Sequence, residues 1–119
     1  MLNILLGEDD KNFGLVLKRE LEESQYKVDL VPNGVEAVLS FVTHSYNFVL
    51  LDIVMPRLGG IDALRIIKKI NPRVPVITFS GNAGSREIEE SIVCGAIKCF
   101  RKPFGIGQLK EDIRNYVLK

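Results

Sequence analysis

Short apolar segments alternate with longer segments of mixed polarity along this chain. The apolar segments cover residues 3–6, 27–31, 48–51, 74–79 and 97–101. The third segment, Phe-Val-Leu-Leu, has no polar side chain, which is typical of a strand covered on both faces. The second contains Lys27 and Asp29, which favours an edge strand. The pattern therefore predicts five strands, of which the third is buried on both faces and the second lies at an edge.

Between these strands, apolar residues recur close to the i, i+3, i+4 and i+7 spacing of an amphipathic helix. In chain order they are Phe13, Val16, Leu17 and Leu21; Val35, Val38, Leu39 and Val42; Ala63, Ile66, Ile67 and Ile70; and Ile106, Leu109, Ile113 and Val117. A further helix over residues 85–94 rests on weaker grounds, because it has few apolar residues and glycines on both sides. Ser85 is its predicted N-cap.

The alternation of strand and helix predicts the α/β class. Five such units imply a parallel sheet with right-handed crossovers. In a chain of 119 residues they fit one doubly wound (βα)5 domain over residues 1–119. Ligands of such folds lie beyond the carboxyl ends of the strands, near the point where the strand order reverses. The chemistry is therefore expected at that edge of the sheet.

Composition narrows the classes of function. Lysine and arginine total 16 and aspartate and glutamate total 15, so the strongly basic face of a nucleic-acid-binding protein is not expected. No apolar run resembles a signal peptide or reaches the roughly 20 residues of a membrane helix, which predicts a cytoplasmic protein without membrane contact. Cys94 and Cys99 match no zinc pattern with the single histidine, so two reduced thiols are expected.

Polar residues with reactive side chains follow four of the predicted strands. They are Glu8, Asp9 and Asp10 after the first strand, Asp52 after the third, Ser80 after the fourth and Lys102 after the fifth. Crowded carboxylates repel one another, and oxygen ligands in this number suit Mg²⁺. A lysine and a hydroxyl beside them suit the oxygens of a phosphoryl group. The set indicates phosphoryl transfer to a carboxylate, with Asp52 as the nucleophile.

Each of these residues also has an ordinary structural interpretation when it is taken alone. Asp10 could cap the first helix and favour its dipole. Asp52 could be a turn residue, Ser80 a loop residue and Lys102 a solvated charge. Only their arrival at the same edge of one sheet favours the functional interpretation.

The ordered set of motifs resembles the receiver domains of two-component signalling, of which the bacterial chemotaxis regulator is the single-domain type. The matching positions are Glu8-Asp9, Asp52 with Met55-Pro56, Gly60, Ser80, Gly95-Ala96 and Lys102-Pro103-Phe104. The resemblance covers essentially the whole chain, and it implies a flavodoxin-like receiver fold. Each motif is weak alone, whereas the ordered set is highly specific.

The resemblance implies a phosphorylation switch rather than an enzyme with an external substrate. Glu8, Asp9, Asp52 and the backbone carbonyl of Val54 would hold Mg²⁺. Asp52 would accept a phosphoryl group from a sensor histidine kinase or a histidine phosphotransfer protein. The only chemistry would be phosphorylation of the chain itself and loss of that phosphoryl group. The downstream protein or output domain is not identified by the sequence, and dimerisation on phosphorylation is left open.

The family also implies how the signal would leave the site. Lys102 would pair with the phosphoryl oxygens, and the Lys102-Pro103 bond would be cis. Ser80 would move toward the phosphoryl group and reposition the surface formed by the fourth helix, fifth strand and fifth helix. Where members usually have an aromatic switch residue, this chain has Cys99. Alternation along the strand points Phe100 to the other face, so the usual aromatic coupling is not expected from it.

Three alternatives compete with this interpretation. A phosphatase of the haloacid dehalogenase type would need a second aspartate where the chain has Val54. A flavin- or nucleotide-binding module would need a phosphate-binding loop after the first strand, where the chain has acidic residues. A degenerate receiver would bind proteins without taking up phosphate; only Cys99 favours it.

Overall fold

A computed structural model describes residues 2–81 and 84–117 of the chain. In chain order the elements are β1 (Asn3–Gly7), α1 (Lys11–Glu23), β2 (Lys27–Val31), α2 (Gly34–Thr43), β3 (Phe48–Asp52), α3 (Gly60–Ile70), β4 (Val76–Ser80), α4 (Ser85–Val93), β5 (Lys98–Arg101) and α5 (Ile106–Val117). This alternation confirms the predicted α/β class. Within the described ranges, no helix is long and apolar enough to cross a membrane.

The five strands form one parallel sheet in the order β2-β1-β3-β4-β5. The chain runs from β1 outward to the edge strand β2 and then returns to β3 on the other side of β1. The strand order therefore reverses between β1 and β3, and the carboxyl ends of these two strands open the crevice where ligands of such sheets bind. The predicted edge position of β2 is confirmed.

Two apolar layers cover the two faces of the sheet. On one face, alternate strand residues such as Leu5 and Val49 pack against α2 and α3. On the other face, their neighbours Ile4, Leu6 and Phe48 pack against α1 and α5. Successive side chains of a strand point to opposite faces, so the continuous apolar sequence of β3 serves both layers.

The spacing of apolar residues predicted only some of the helix residues that are buried against the sheet. In α2, Ala37 and Phe41 are buried, whereas Leu39 and Val42, predicted to face the core, are 51% and 58% exposed. Val16 of α1 is also exposed, as are two residues of the predicted stripe of α3, Ile66 and Ile70. These predictions were wrong because the helices carry more apolar residues than one face can bury, and spacing alone does not choose among overlapping stripes. In α5, the predicted stripe is confirmed, since Leu109 and Ile113 are buried and its end residues pack against the same layer.

Helix α4 is held differently from the other helices. Among its nine residues, all within the described part of the chain, Ser91 is the only buried one. The Ser91 hydroxyl lies 3.0 Å from Thr78 Oγ1 of β4 and donates to the Ile88 carbonyl at 2.9 Å. Ser85 is the first residue of α4 and not its N-cap as predicted; the cap is Gly84, which has no side chain to accept a hydrogen bond.

Side chains do cap the first two helices. The Asn33 side chain accepts from the Glu36 amide at 2.9 Å at the start of α2. The Asp10 carboxylate accepts from the Phe13 amide at 3.2 Å at the start of α1. For Asp10, the structural interpretation as a helix cap is therefore the one that its contacts bear out.

Candidate functional site

Two strand ends bring three acidic side chains together at the crevice. Glu8 directly follows β1, Asp9 comes next, and Asp52 is the last residue of β3. One carboxylate oxygen from each of the three lies within 4.8 Å of the other two. Glu8 and Asp52 are buried, whereas Asp9 is exposed. The sheet therefore assembles a compact oxygen cluster that is walled by protein on one side and open to solvent on the other.

Lys102 supplies the positive charge that faces this cluster. Its Nζ lies 2.6 Å from Glu8 Oε1 and 2.7 Å from Asp52 Oδ2. The Lys102 side chain is 20% exposed, against 0% for Glu8 and 6% for Asp52. Two buried carboxylates thus share one ammonium group, which leaves one carboxylate charge uncompensated by this lysine.

The excess of carboxylates shows in the protonation equilibria. Burial, together with the nearby charge of Asp52, raises the pKa of Glu8 from 4.5 to about 7. Hydrogen bonds from Lys102 and from the Asp10 amide oppose this rise but do not cancel it. Burial lowers the pKa of Lys102, but its hydrogen bonds and ion pairs with Asp52 and Glu8 outweigh burial and raise that pKa above the ordinary value of 10.5. A further cation would relieve the remaining repulsion.

The backbone after β3 fixes the orientation of Asp52. Its Oδ1 accepts from the Val54 amide at 2.9 Å, while its Oδ2 is held by Lys102. The Gly60 amide donates to the Ile53 carbonyl at 2.8 Å. A Cβ atom on Gly60 would collide with the carbonyl oxygen of Asp52. Helix α3 therefore begins directly against the end of β3, and only glycine permits this approach.

A cleft of about 220 Å³ lies beside the acidic cluster, and its walls include Asp9, Val54, Gly81 and Lys102. The two remaining predicted residues, Ser80 and Val54, lie at or next to this cleft. Ser80 is buried, and its carbonyl accepts from the Lys102 amide at 2.8 Å, which links the ends of β4 and β5. Val54 has an exposed side chain. The structure thus brings the ends of β1, β3, β4 and β5 together as predicted, with Ser80 adjoining the cleft through Gly81.

The Lys102-Pro103 peptide bond is cis, as the resemblance implied. The register of β5 places Cys99 beside Thr78 and Phe100 beside Phe79. Phe100 packs with the layer under α1 and α5. The prediction that Phe100 points away from the usual switch position is therefore confirmed. Cys94 and Cys99 are both free thiols, as predicted.

One participant was missed by the sequence reasoning. The ring of Phe13, in the first turn of α1, lies with its centroid 4.4 Å from Lys102 Nζ. The spacing of apolar residues places Phe13 only in the apolar stripe of the first helix. Its position three residues after Asp10 could have indicated this contact. A helix that begins directly after the acidic residues has its first turn next to the site.

The comparisons with known proteins agree with this geometry. The family model for the response regulator receiver domain matches residues 4–114. The transcriptional regulatory protein RprY of Bacteroides fragilis is 30% identical over 108 residues, which are 91% of this chain and 46% of that protein. The sensor protein EvgS of Escherichia coli is 31% identical over 112 residues, which are 94% of this chain and 9% of that protein. The chain thus spans less than half of the length of these curated relatives.

Solved structures give the same result. A CheY-like receiver domain from Methanospirillum hungatei has a TM-score of 0.94 at 26% identity, covering 98% of this chain and 94% of that one. A receiver domain from Clostridium thermocellum has a TM-score of 0.92 at 29% identity, covering 99% and 95%. With the acidic cluster, the lysine and the sheet order in agreement, this chain belongs to the response regulator receiver domain family of two-component systems.

Proposed function

We propose that the chain works as a phosphorylation switch in which Asp52 accepts a phosphoryl group. The donor is a phosphohistidine on a sensor histidine kinase or on a histidine phosphotransfer protein. The observation that supports this most directly is the contact of Lys102 Nζ with Asp52 Oδ2 at 2.7 Å inside the acidic cluster. A buried carboxylate with a lysine on one oxygen and an open cleft beside it suits attack on phosphorus.

Domains of this family bind Mg²⁺ at an acidic pocket. In this chain Glu8, Asp9, Asp52 and the backbone carbonyl of Val54 would hold the ion. The donor set fits, because all four are hard oxygen ligands and the exposed side of Asp9 leaves room for the waters that Mg²⁺ retains. When bound, the ion would neutralise negative charge on the phosphoryl oxygens.

The transfer itself uses residues of the chain. A carboxylate oxygen of Asp52 forms a bond to phosphorus while the bond from phosphorus to the donor imidazole nitrogen breaks. The imidazole keeps the electron pair of that bond, and the product is an acyl phosphate on Asp52. Lys102 pairs with the phosphoryl oxygens, and the Ser80 hydroxyl donates to one of them. Because the acceptor belongs to the chain, the protein is not an enzyme in the ordinary sense.

The output follows from the added charge. A phosphoryl group at Asp52 draws Ser80 toward it and with it the segment that leads into α4. The surface of α4, β5 and α5 is the face that would change for a downstream protein or a linked output domain. We propose that residues 1–119 form one receiver domain and that this chain does not itself contact nucleic acid. Dimerisation on phosphorylation is compatible with this arrangement.

The test is phosphorylation by acetyl phosphate in the presence of Mg²⁺, followed by intact mass measurement. We expect one added phosphoryl group on the unchanged protein, and none on Asp52→Asn or in samples without metal. Asp62→Asn is the matched control, because Asp62 is an exposed aspartate on α3 that pairs with Arg65. If folded protein that binds Mg²⁺ takes up no phosphoryl group, the degenerate receiver, a phosphorylation-independent binding module, replaces this proposal.

A further inference from the structure

Aromatic rings form part of the environment of the Lys102 ammonium. Its Nζ lies 4.4 Å from the ring centroid of Phe13 and 5.5 Å from that of Phe79. Both distances are within the range of a cation–π interaction, in which the negative face of a ring attracts a cation. The ammonium thus has two carboxylates and two aromatic rings as neighbours, and the carboxylates accept two of its three N–H groups.

The ring of Phe13 is itself held in place by other aromatic residues. Its centroid lies 5.9 Å from that of Phe104 with the planes at 78°, and 6.0 Å from that of Phe79 with the planes at 58°. Phe104 follows Lys102 by two residues, and the Phe13 amide donates to Asp10 at the start of α1. The ring therefore connects the first turn of α1 to the loop that carries Lys102.

We infer that Phe13 is a positioning residue for phosphorylation, which holds Lys102 beside Asp52 while the hydrogen-bond partners of the lysine change. This inference rests on the function proposed above. Before transfer, both carboxylates attract the ammonium. After transfer, Asp52 is an acyl phosphate and its carboxylate charge is gone. The ring face attracts the ammonium without occupying a specific N–H group, so it holds the lysine in place while the N–H groups change partners from carboxylate to phosphoryl oxygens.

Fluorinated phenylalanines test this inference, because fluorine atoms weaken the negative face of the ring with little change in size. Phenylalanine with one, two or three fluorine atoms would be placed at position 13 of the full chain. The rate of phosphorylation by acetyl phosphate with Mg²⁺ would be measured for each. We expect a graded decrease that reaches about threefold to tenfold for the trifluorinated ring, the range of a partly desolvated cation–π contact. The rate of Phe13→Leu should decrease by a similar factor, and Phe13→Tyr should retain most of the rate of the parent protein.

Phe41 provides the matched control. It is buried in the layer under α2 and α3, where its ring stacks on Tyr46 rather than on a cation. The same fluorinated residues at position 41 should leave the rate unchanged within twofold. Affinity for beryllium trifluoride, a stable stand-in for the phosphoryl group, should fall in the same order as the rate at position 13.

A spectroscopic readout locates the lysine independently of any transfer. The ε-methylene protons of Lys102 should show an upfield ring-current shift in proton NMR that Phe13→Leu removes and Phe13→Tyr keeps. A flat series of rates with a normally phosphorylated parent protein would overturn the role of Phe13 alone. Absence of any adduct on the parent protein would overturn the proposed function and this inference together, and the ring-current shift would then report only the resting contact.

Discussion

Replacing Lys102 by methionine tests how strongly the stability of the protein depends on the one ammonium group that faces the acidic cluster. Methionine retains an unbranched chain that can still pack on the Phe13 ring, but it removes two ion pairs of 2.6 and 2.7 Å. Removing one partner of a buried ion pair destabilises a protein by about 3–5 kcal/mol. Lys102 is one-fifth exposed and Glu8 can take up a proton, so we expect a loss of about 2–3 kcal/mol near pH 8 without metal.

The pH dependence of this loss follows from Glu8. Its folded pKa of about 7 lies above the ordinary 4.5, so the folded protein binds more protons than the unfolded chain between these values. Stability therefore falls as pH rises through this window. Lys102 lowers the pKa of Glu8, so its removal raises that pKa. The pH range over which stability falls then extends to higher pH. The difference in the free energy of unfolding between the parent protein and Lys102→Met should be about 1 kcal/mol near pH 5.5 and should increase above pH 7. The raised pKa of Lys102 adds no further slope, because its contribution is lost only above its ordinary value of 10.5.

Urea unfolding in EDTA at both pH values measures these free energies. Lys110→Met is the matched control, because Lys110 makes a partly exposed ion pair with Glu20 at 3.5 Å and should lose less than about 1 kcal/mol at either pH. Added Mg²⁺ should stabilise Lys102→Met more than the parent protein, since it replaces the missing charge. An equal loss at both pH values, or none, would show that the ammonium does not compensate the buried carboxylates.

Three further changes have expected outcomes that urea unfolding checks. Gly60→Ala should lower the free energy of unfolding by about 3 kcal/mol, because its Cβ would overlap the end of β3. Gly59→Ala should lower it by less than about 1 kcal/mol, because its Cβ would lie 3.7 Å from the nearest atom. Equal losses would contradict the close approach of Gly60 to β3. Ser91→Ala should lose about 1–2 kcal/mol because the Thr78 hydroxyl loses a buried partner, and no loss would mean that this hydrogen bond is unimportant. Asn33→Ala should lose about 1 kcal/mol and Asn33→Asp should not, since aspartate also caps; a loss in both would point to another role.

The strands could be predicted from the sequence because their apolar runs are short, nearly continuous and separated by helical spacing. The helix faces could be predicted only where apolar residues are few. In α5, Leu109 and Ile113 leave one choice of stripe, and that stripe is buried. In α2, a small residue, Ala37, faces the core while Leu39 is exposed. Such a choice depends on how closely a helix approaches the sheet, which only the packing of neighbouring elements decides.

The convergence of the site could be predicted because parallel strands end at a common edge, which places Glu8, Asp52 and Lys102 together whatever the details of the helices. The contact of Phe13 with Lys102 could not be predicted in this way. It depends on the angle at which α1 lies across the sheet and on the loop after β5. The N-cap of α4 was misplaced by one residue, because Gly84 and Ser85 are both plausible caps and only backbone angles distinguish them.

The sparse burial of α4 has a thermodynamic consequence for any movement of this helix. The heat capacity change of a rearrangement scales mainly with the apolar area that it exposes. Helices α1 and α5 would expose buried leucine and isoleucine side chains on moving, whereas α4 buries a single serine. Moving α4 should therefore have a small heat capacity change, and its enthalpy should be dominated by hydrogen bonds. The two placements of α4 would then keep nearly the same enthalpy difference over a range of temperatures, so the logarithm of their population ratio would vary almost linearly with inverse temperature.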